Sequence, residues 1–127
     1  MLVKEIMNKV CVVNSNITLK RAAELMLENN IGSLVILKGN KLAGILTERD
    51  IIKNLGSLNK NIFKIMTNEV ITVSQNASLE EAAEIMKKNK IKKIIVTDKK
   101  RSIPAGIITA TDIIVNSDLL NEDGALI

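Results

Sequence analysis

The sequence predicts an α+β fold made of two βαββα repeats packed with pseudo-twofold symmetry through their sheets. Three observations carry that expectation. The chain matches itself at a spacing of about 60 residues. Short β-branched runs bounded by Asn and Ser recur at equal places in both copies. The segment after each run has apolar residues at the i, i+3, i+4, i+7 spacing of a helix with one buried stripe.

Ile6-Met7 answers Ile65-Met66, and Val10 and Val13 answer Val70 and Val73. Leu19, Ala22, Ala23, Glu24, Met26, Asn29 and Ile31 answer Leu79, Ala82, Ala83, Glu84, Met86, Asn89 and Ile91. An insertion between Lys99 and Ser102 then shifts the register, after which Ala43-Gly44-Ile45, Thr47, Asp50, Ile51 and Ile52 answer Ala105-Gly106-Ile107, Thr109, Asp112, Ile113 and Ile114. Insertions belong in loops, so this one marks a turn between strands.

Taken in order, Val10 to Val13 and Val70 to Val73 read as short buried strands. A helix follows each, from Leu19 or Leu79. Thr18 stands at the cap of the first, and Ser78 with Glu81 forms a capping-box pattern at the second. Leu34 to Leu37 and Ile94 to Thr97 are the next strands, followed by turns at Lys38-Gly39-Asn40 and Asp98 to Ser102. Third strands run through Gly44-Ile45-Leu46 and Gly106-Ile107-Ile108, and second helices start at Glu48 and Ala110. The expected boundaries are a first repeat over 1–56, a linker over 57–62, a second repeat over 63–117 and a C-terminal tail over 118–127. A unit of this size is near the lower limit for folding alone, so the two copies are expected to bury their sheet faces against each other and leave a pair of clefts at the seam.

Composition excludes several functions. Of 127 residues, 46% are apolar and 25% charged, with a net charge of +4, no His, one Cys and one aromatic. Without His the usual proton shuttle and the commonest zinc ligand are missing. Cys11 has no partner for an internal disulfide, which fits a reducing, cytoplasmic setting. No apolar run approaches a membrane span, and Lys4 and Glu5 interrupt the place where a signal peptide needs its hydrophobic region. No nucleophile–base pair, Walker-type loop or metal set is present, so the expectation is a non-enzyme with no cofactor and no membrane partner.

The sharpest chemical signal is Gly44-Ile45-Leu46-Thr47-Glu48-Arg49-Asp50, repeated as Gly106-Ile107-Ile108-Thr109-Ala110-Thr111-Asp112. Each places a hydroxyl and a carboxylate three apart where a strand becomes a helix. Two readings stand. Thr-x-x-Asp is a helix cap that satisfies first-turn amides. A helix N-terminus beside a carboxylate also suits a nucleotide, its phosphate at the free N–H groups and its ribose diol on the carboxylate.

With these motifs, the short first strand, Leu-x-x-Ala-Ala-x-x-Met and the second copy, the chain resembles tandem cystathionine-β-synthase (CBS) domains, whose paired form is called a Bateman module. The resemblance runs from about Lys4 to Ser117, which implies a stand-alone module. It implies that the Thr-x-x-Asp end holds the ribose and phosphate of an adenosine compound (AMP, ADP, ATP or S-adenosylmethionine), with main-chain groups holding the base. Carried across, site one comprises Val10, Cys11, Val12, Ile31, Gly32, Ser33, Thr47 and Asp50, and site two comprises Val70, Ile71, Ile91, Lys92, Lys93, Thr109 and Asp112. Many relatives have prolines after the first strand and in the second, where this chain has Asn14, Val35 and their partners; Pro104 is its one proline. Arg49 is open to two readings, a phosphate partner in site one or a solvated side chain.

Lys87, Lys88, Lys90, Lys92, Lys93, Lys99, Lys100 and Arg101 form a basic cluster over 87–101. Lysines in a helix's last turn are favoured by its dipole. The cluster also supports an alternative function, binding of nucleic acid or an acidic protein, although Phe63 is the one ring available to stack on bases. Ile51, Ile52, Ile113 and Ile114 in the second helices are expected to be partly exposed in a lone module, and the resemblance implies that such helices pair in a homodimer. Leu119, Leu120, Leu126 and Ile127 in the tail are open to two readings, part of that interface or a frayed end. Met7, Met26, Met66 and Met86 recur as core residues.

Overall fold

A computed structural model of the chain describes residues 1–100 and 103–116. Arg101 and the tail over 118–127 lie outside the described residues, as do the expectations attached to them. The elements run α1 (Val3–Ile6), β1 (Val12–Asn14), α2 (Leu19–Glu28), β2 (Ser33–Lys38), β3 (Lys41–Thr47), α3 (Glu48–Lys53), β4 (Thr72–Ser74), α4 (Leu79–Asn89), β5 (Lys93–Asp98), β6 (Ile103–Thr109) and α5 (Ala110–Val115). Two short 3-10 turns, Leu55–Ser57 and Ile62–Lys64, precede β4. Each repeat holds a three-stranded sheet, ordered β1-β2-β3 or β4-β5-β6, with a parallel first pair and an antiparallel second. The α+β class and the βαββα order expected from the sequence are what the chain forms.

The first strands start two residues later than expected. Register begins at Val12↔Val35 and Thr72↔Ile95, and it continues through Asn14 and Ser74 because their neighbours in β2 and β5 are still extended. The helix starts follow the sequence: Thr18 Oγ1 accepts from Arg21 N at 3.1 Å and Ser78 Oγ from Glu81 N at 3.1 Å. The reciprocal bond from Ser78 N to the Glu81 carboxylate does not form; a different first-turn N–H, that of Leu79, donates to the Met1 carbonyl at 3.3 Å. At α2, the carbonyls of Lys60 and Leu58 accept from Leu19 N and Lys20 N, each at 2.9 Å. Both first helices therefore begin against backbone from a distant segment. They also end alike, with Asn30 and Lys90 at φ of 51° and 54°, a left-handed conformation that Asn tolerates better than Lys.

The chain divides into two compact units, one of Val10–Val70 and one of Met1–Lys9 with Ile71 onward. The leader of each repeat therefore lies in the unit of the other repeat. In one unit Val3 N donates to Ala77 O at 2.8 Å, and Asn8 and Ile107 exchange backbone bonds at 2.8 and 3.0 Å. In the other, Ile62 N donates to Ile17 O at 3.0 Å, and Thr67 and Ile45 exchange bonds at 3.0 Å each. The cores repeat the same substitution. Leu19, Ala22, Met26, Leu34, Ile36 and Leu46 close around Ile62 and Met66, whereas Leu79, Ala82, Met86, Ile94, Val96 and Ile108 close around Val3, with Met7 packed on them.

Gly44 and Gly106 permit this docking. A Cβ on Gly44 meets the Thr67 carbonyl at 2.6 Å and Met66 Sδ at 2.7 Å; a Cβ on Gly106 meets the Asn8 carbonyl at 2.7 Å and Met7 Sδ at 2.8 Å. The two carbonyls are main-chain obstacles that no rotamer change removes. Gly44→Ala and Gly106→Ala are each expected to destabilise by about 1–3 kcal/mol, the usual cost of overpacking. Gly56→Ala, whose Cβ meets nothing within 4 Å, is the matched control with little expected loss. Urea denaturation of the three variants checks this.

Candidate functional site

The residues singled out by the sequence gather at one end of each sheet. β2 starts at Ser33, directly opposite Thr47, the last residue of the antiparallel β3. Cys11 sits just before β1 and accepts from Val35 N at 2.9 Å, while Gly32 O accepts from Glu48 N at 3.1 Å. In the other unit Lys93 stands opposite Thr109, Lys92 O accepts from Ala110 N at 2.8 Å, and Ile71 immediately precedes β4. Thus the first-strand entrance, the second-strand start and the Thr-x-x-Asp turn share an edge, in an order fixed by the pairing directions. Val70 is the last residue of the Val10–Val70 unit and so falls outside the unit that holds the other residues of site two.

Both threonines cap a helix. Thr47 and Thr109 are extended, and their hydroxyls accept from Asp50 N and Asp112 N at 3.4 and 3.1 Å. The carboxylates answer: Asp50 Oδ2 and Asp112 Oδ2 accept from Thr47 N and Thr109 N, each at 2.9 Å. The arrangement read from the sequence as a cap is therefore present twice. In each carboxylate, Oδ2 alone is engaged, and no described residue donates to Oδ1. Asp50 and Asp112 are half-buried, so that second oxygen stays within reach of solvent or ligand.

The two carboxylates differ in their remaining contact. Thr47 Oγ1 also closes on Asp50 Oδ2, at 3.1 Å. Asp112 Oδ2 instead takes a hydrogen bond from Asn8 Nδ2 at 2.8 Å, across 104 residues of sequence. Sequence reasoning missed Asn8. The signal was the match of Ile6-Met7 with Ile65-Met66, whose next residues, Asn8 and Thr67, occupy equivalent places beside β6 and β3.

Arg49 is exposed and makes no ion pair among the described residues, where Arg21 to Glu28 at 3.2 Å is the one found. The basic cluster is not one patch. Lys87, Lys88, Lys90, Lys92 and Lys93 lie around the end of α4 and the start of β5; Lys99 and Lys100 follow its far end. A six-residue strand puts about 20 Å between the groups. An open hollow of about 370 Å³ is lined by Ala23, Met26 and Leu27 of α2, by Glu48, Ile51 and Ile52 of α3, and by Asn30, Ile31 and Gly32. It touches Ile31 and Gly32 but neither Thr47 nor Asp50.

Two copies of this strand, helix, hairpin and capped helix define a CBS domain pair. The CBS domain family matches residues 3–57 and 62–117, and the chain belongs to that family. It is 38% identical over 114 residues to an L-aspartate semialdehyde sulfurtransferase of Methanocaldococcus jannaschii, covering 88% of this chain and 22% of that protein. With the CBS domain-containing protein YhcV of Bacillus subtilis it shares 29% identity over 112 residues, 85% of this chain and 79% of that one. Several curated relatives are much longer, and the chain spans 22% to 36% of their length. Among solved structures, the CBS domain pair of protein MJ0100, in complex with 5-methylthioadenosine and S-adenosyl-L-methionine, superposes with a TM-score of 0.79 at 37% identity, over 89% of this chain and 92% of that one.

Because each Thr–Asp pair satisfies first-turn amides, its loss has a price in stability apart from any ligand. Thr47→Val and Thr109→Val are each expected to destabilise by about 1 kcal/mol. Asp→Asn at 50 or 112 keeps an acceptor oxygen in place and is expected to lose less. Thermal and urea unfolding of the four variants reads the difference.

Proposed function

We propose that this chain is a non-catalytic regulatory module that binds adenosine compounds, the candidates being AMP, ADP, ATP and S-adenosylmethionine. One observation carries the reading: a CBS pair of the same fold and 37% identity holds 5-methylthioadenosine and S-adenosyl-L-methionine. In this chain the ribose is assigned to Asp50 and Asp112, whose Oδ1 atoms have no donor among the described residues. A diol donating there leaves each cap intact. The base is assigned to the main chain around Val10 to Val12 and Ile31 to Ser33 in one site, and around Val70 to Ile71 and Ile91 to Lys93 in the other. Arg49, Lys92 and Lys93 are the cations assigned to phosphate.

Such a ligand regulates only through unequal affinity for two arrangements of the protein or its partners. The enzymes among the relatives share with this chain a segment that is 22% of their length, which supports assigning it a regulatory part and no reaction of its own. Among the described residues no helix is long and apolar enough to cross a membrane, and a cytoplasmic setting is proposed. Nucleic-acid binding through residues 87–101 is the weaker alternative. Its lysines divide between the two ends of β5, and the one aromatic ring, Phe63, has the Lys38 ammonium 4.3 Å from its centroid.

Calorimetric titration with the four candidates and 5-methylthioadenosine tests the reading. Asp50→Asn and Asp112→Asn are each expected to weaken binding at their own site by about 10- to 150-fold, the worth of a hydrogen bond to a charged group. Unchanged affinity in both variants overturns it.

A homodimer is proposed through the helices. Leu27, Ile52 and Leu55 are 85%, 68% and 61% exposed, an apolar set that stands against the hollow between α2 and α3 or just after it. Sedimentation equilibrium is expected to give a dimer, and Ile52→Asp a monomer; a monomeric unmodified chain refutes the assignment.

A further inference from the structure

We infer that Asn8 is a positioning residue for the Asp112 carboxylate and makes the two Thr-x-x-Asp sites chemically unequal. This rests on the adenosine reading above and deepens it.

The Asn8 main chain is held on both sides. Its N–H and carbonyl pair with Ile107 at 2.8 and 3.0 Å, and its carbonyl occupies the space that a Cβ on Gly106 would need. The side chain of this fixed residue reaches Asp112 Oδ2 at 2.8 Å. That oxygen thus carries two donors, Asn8 Nδ2 and Thr109 N, and the rotamer that serves both aims Oδ1 away from them. Because the amide spans from another segment of chain, it fixes the carboxylate against rotation more firmly than the local cap alone.

The other repeat lacks this tether. Thr67 occupies the equivalent seat, paired with Ile45, but its side chain makes no hydrogen bond to Asp50. Asp50 Oδ2 draws its second donor from the Thr47 hydroxyl at 3.1 Å. This changes what each site offers. Thr47 has committed its hydroxyl proton to its own carboxylate. In the other unit Asn8 supplies that second donor, and no described residue accepts the Thr109 hydroxyl proton. The Asp112 site therefore presents a fixed acceptor, Oδ1, and an available donor, the Thr109 O–H, on one capped turn; the Asp50 site presents the acceptor alone. A ribose has both needs, since each of its hydroxyls donates and accepts, so the Asp112 site is the tighter of the two for an adenosine ribose.

The experiment uses the whole chain carrying Asn8→Ala, the isosteric Asn8→Asp, Asp112→Asn, or the transplant Thr67→Asn, with adenosine and 5-methylthioadenosine as probes. Calorimetry is expected to show Asn8→Ala weakening the tighter site by about ten-fold, one charged hydrogen bond's worth, with the other site unmoved. Asn8→Asp is expected to weaken it further by repulsion, and Thr67→Asn to strengthen the Asp50 site. A readout that mere structural support does not move is the carbon-13 chemical shift of the Asp112 carboxyl at neutral pH without ligand. That resonance is expected to move in Asn8→Ala, because a donor to Oδ2 has been removed, and to stay in place in Thr67→Asn. If Asn8→Ala leaves both that resonance and the tighter site unchanged while Asp112→Asn weakens binding, the inference about Asn8 fails and the adenosine reading stands. If Asp112→Asn also leaves binding unchanged, the inference fails, and the adenosine reading fails with it when Asp50→Asn leaves binding unchanged too.

Discussion

The contact on which the rest of the structure depends is the approach of two backbones over a residue without a side chain. At Gly106 and again at Gly44, a leader segment lies so close to the third strand of a sheet that a single methyl group would collide with its carbonyl. This closeness lets Asn8 and Thr67 exchange hydrogen bonds with Ile107 and Ile45. It also seats Val3 and Ile62, both fully buried, into cores built largely from the other repeat. A repeat of about 55 residues has little apolar surface to hide, and the borrowed leader supplies part of what each core lacks.

The same geometry explains how one short motif serves two ends. A threonine that finishes a strand and starts a helix must satisfy the first-turn N–H groups, and an aspartate three residues on completes the box. That requirement uses one carboxylate oxygen. The other is left over, on a rigid turn at the sheet edge where the first and second strands also begin. Structural and ligand-binding roles are thus compatible in one residue, and finding the cap in place does not argue against the adenosine assignment.

Much of the fold was legible in the sequence because it is written twice. The apolar stripe from Leu19 to Met26, its echo from Leu79 to Met86 and the helix starts at Thr47 and Thr109 depend on local spacing, which a sequence displays directly. Contacts between distant segments were not legible. Nothing near Ser78 announces that Met1 will take the Leu79 amide, and nothing near Asp112 announces Asn8. The adjacent isoleucines show the same limit: Ile52 is 68% exposed and Ile113 is 4%, while Ile51 and Ile114 fall between, because neighbours on a helix point about 100° apart and only one of each pair faces the core. Charge followed the same rule, since seven lysines close together in sequence are divided by the length of β5.

The exchange of leaders also sets an order of assembly during synthesis. Val10–Val70 is continuous, so that half has every residue it needs while the remainder is still on the ribosome. The other half does not. Val3 and Asn8 are translated early, yet their partners, Ala77 and Ile107, emerge far later. For that interval Val3, Ile6 and Met7 form a short apolar tag with nowhere to dock, accessible to any chaperone or protease nearby. These early residues are among the last to settle, and the half that waits for them contains the aspartate that Asn8 must find.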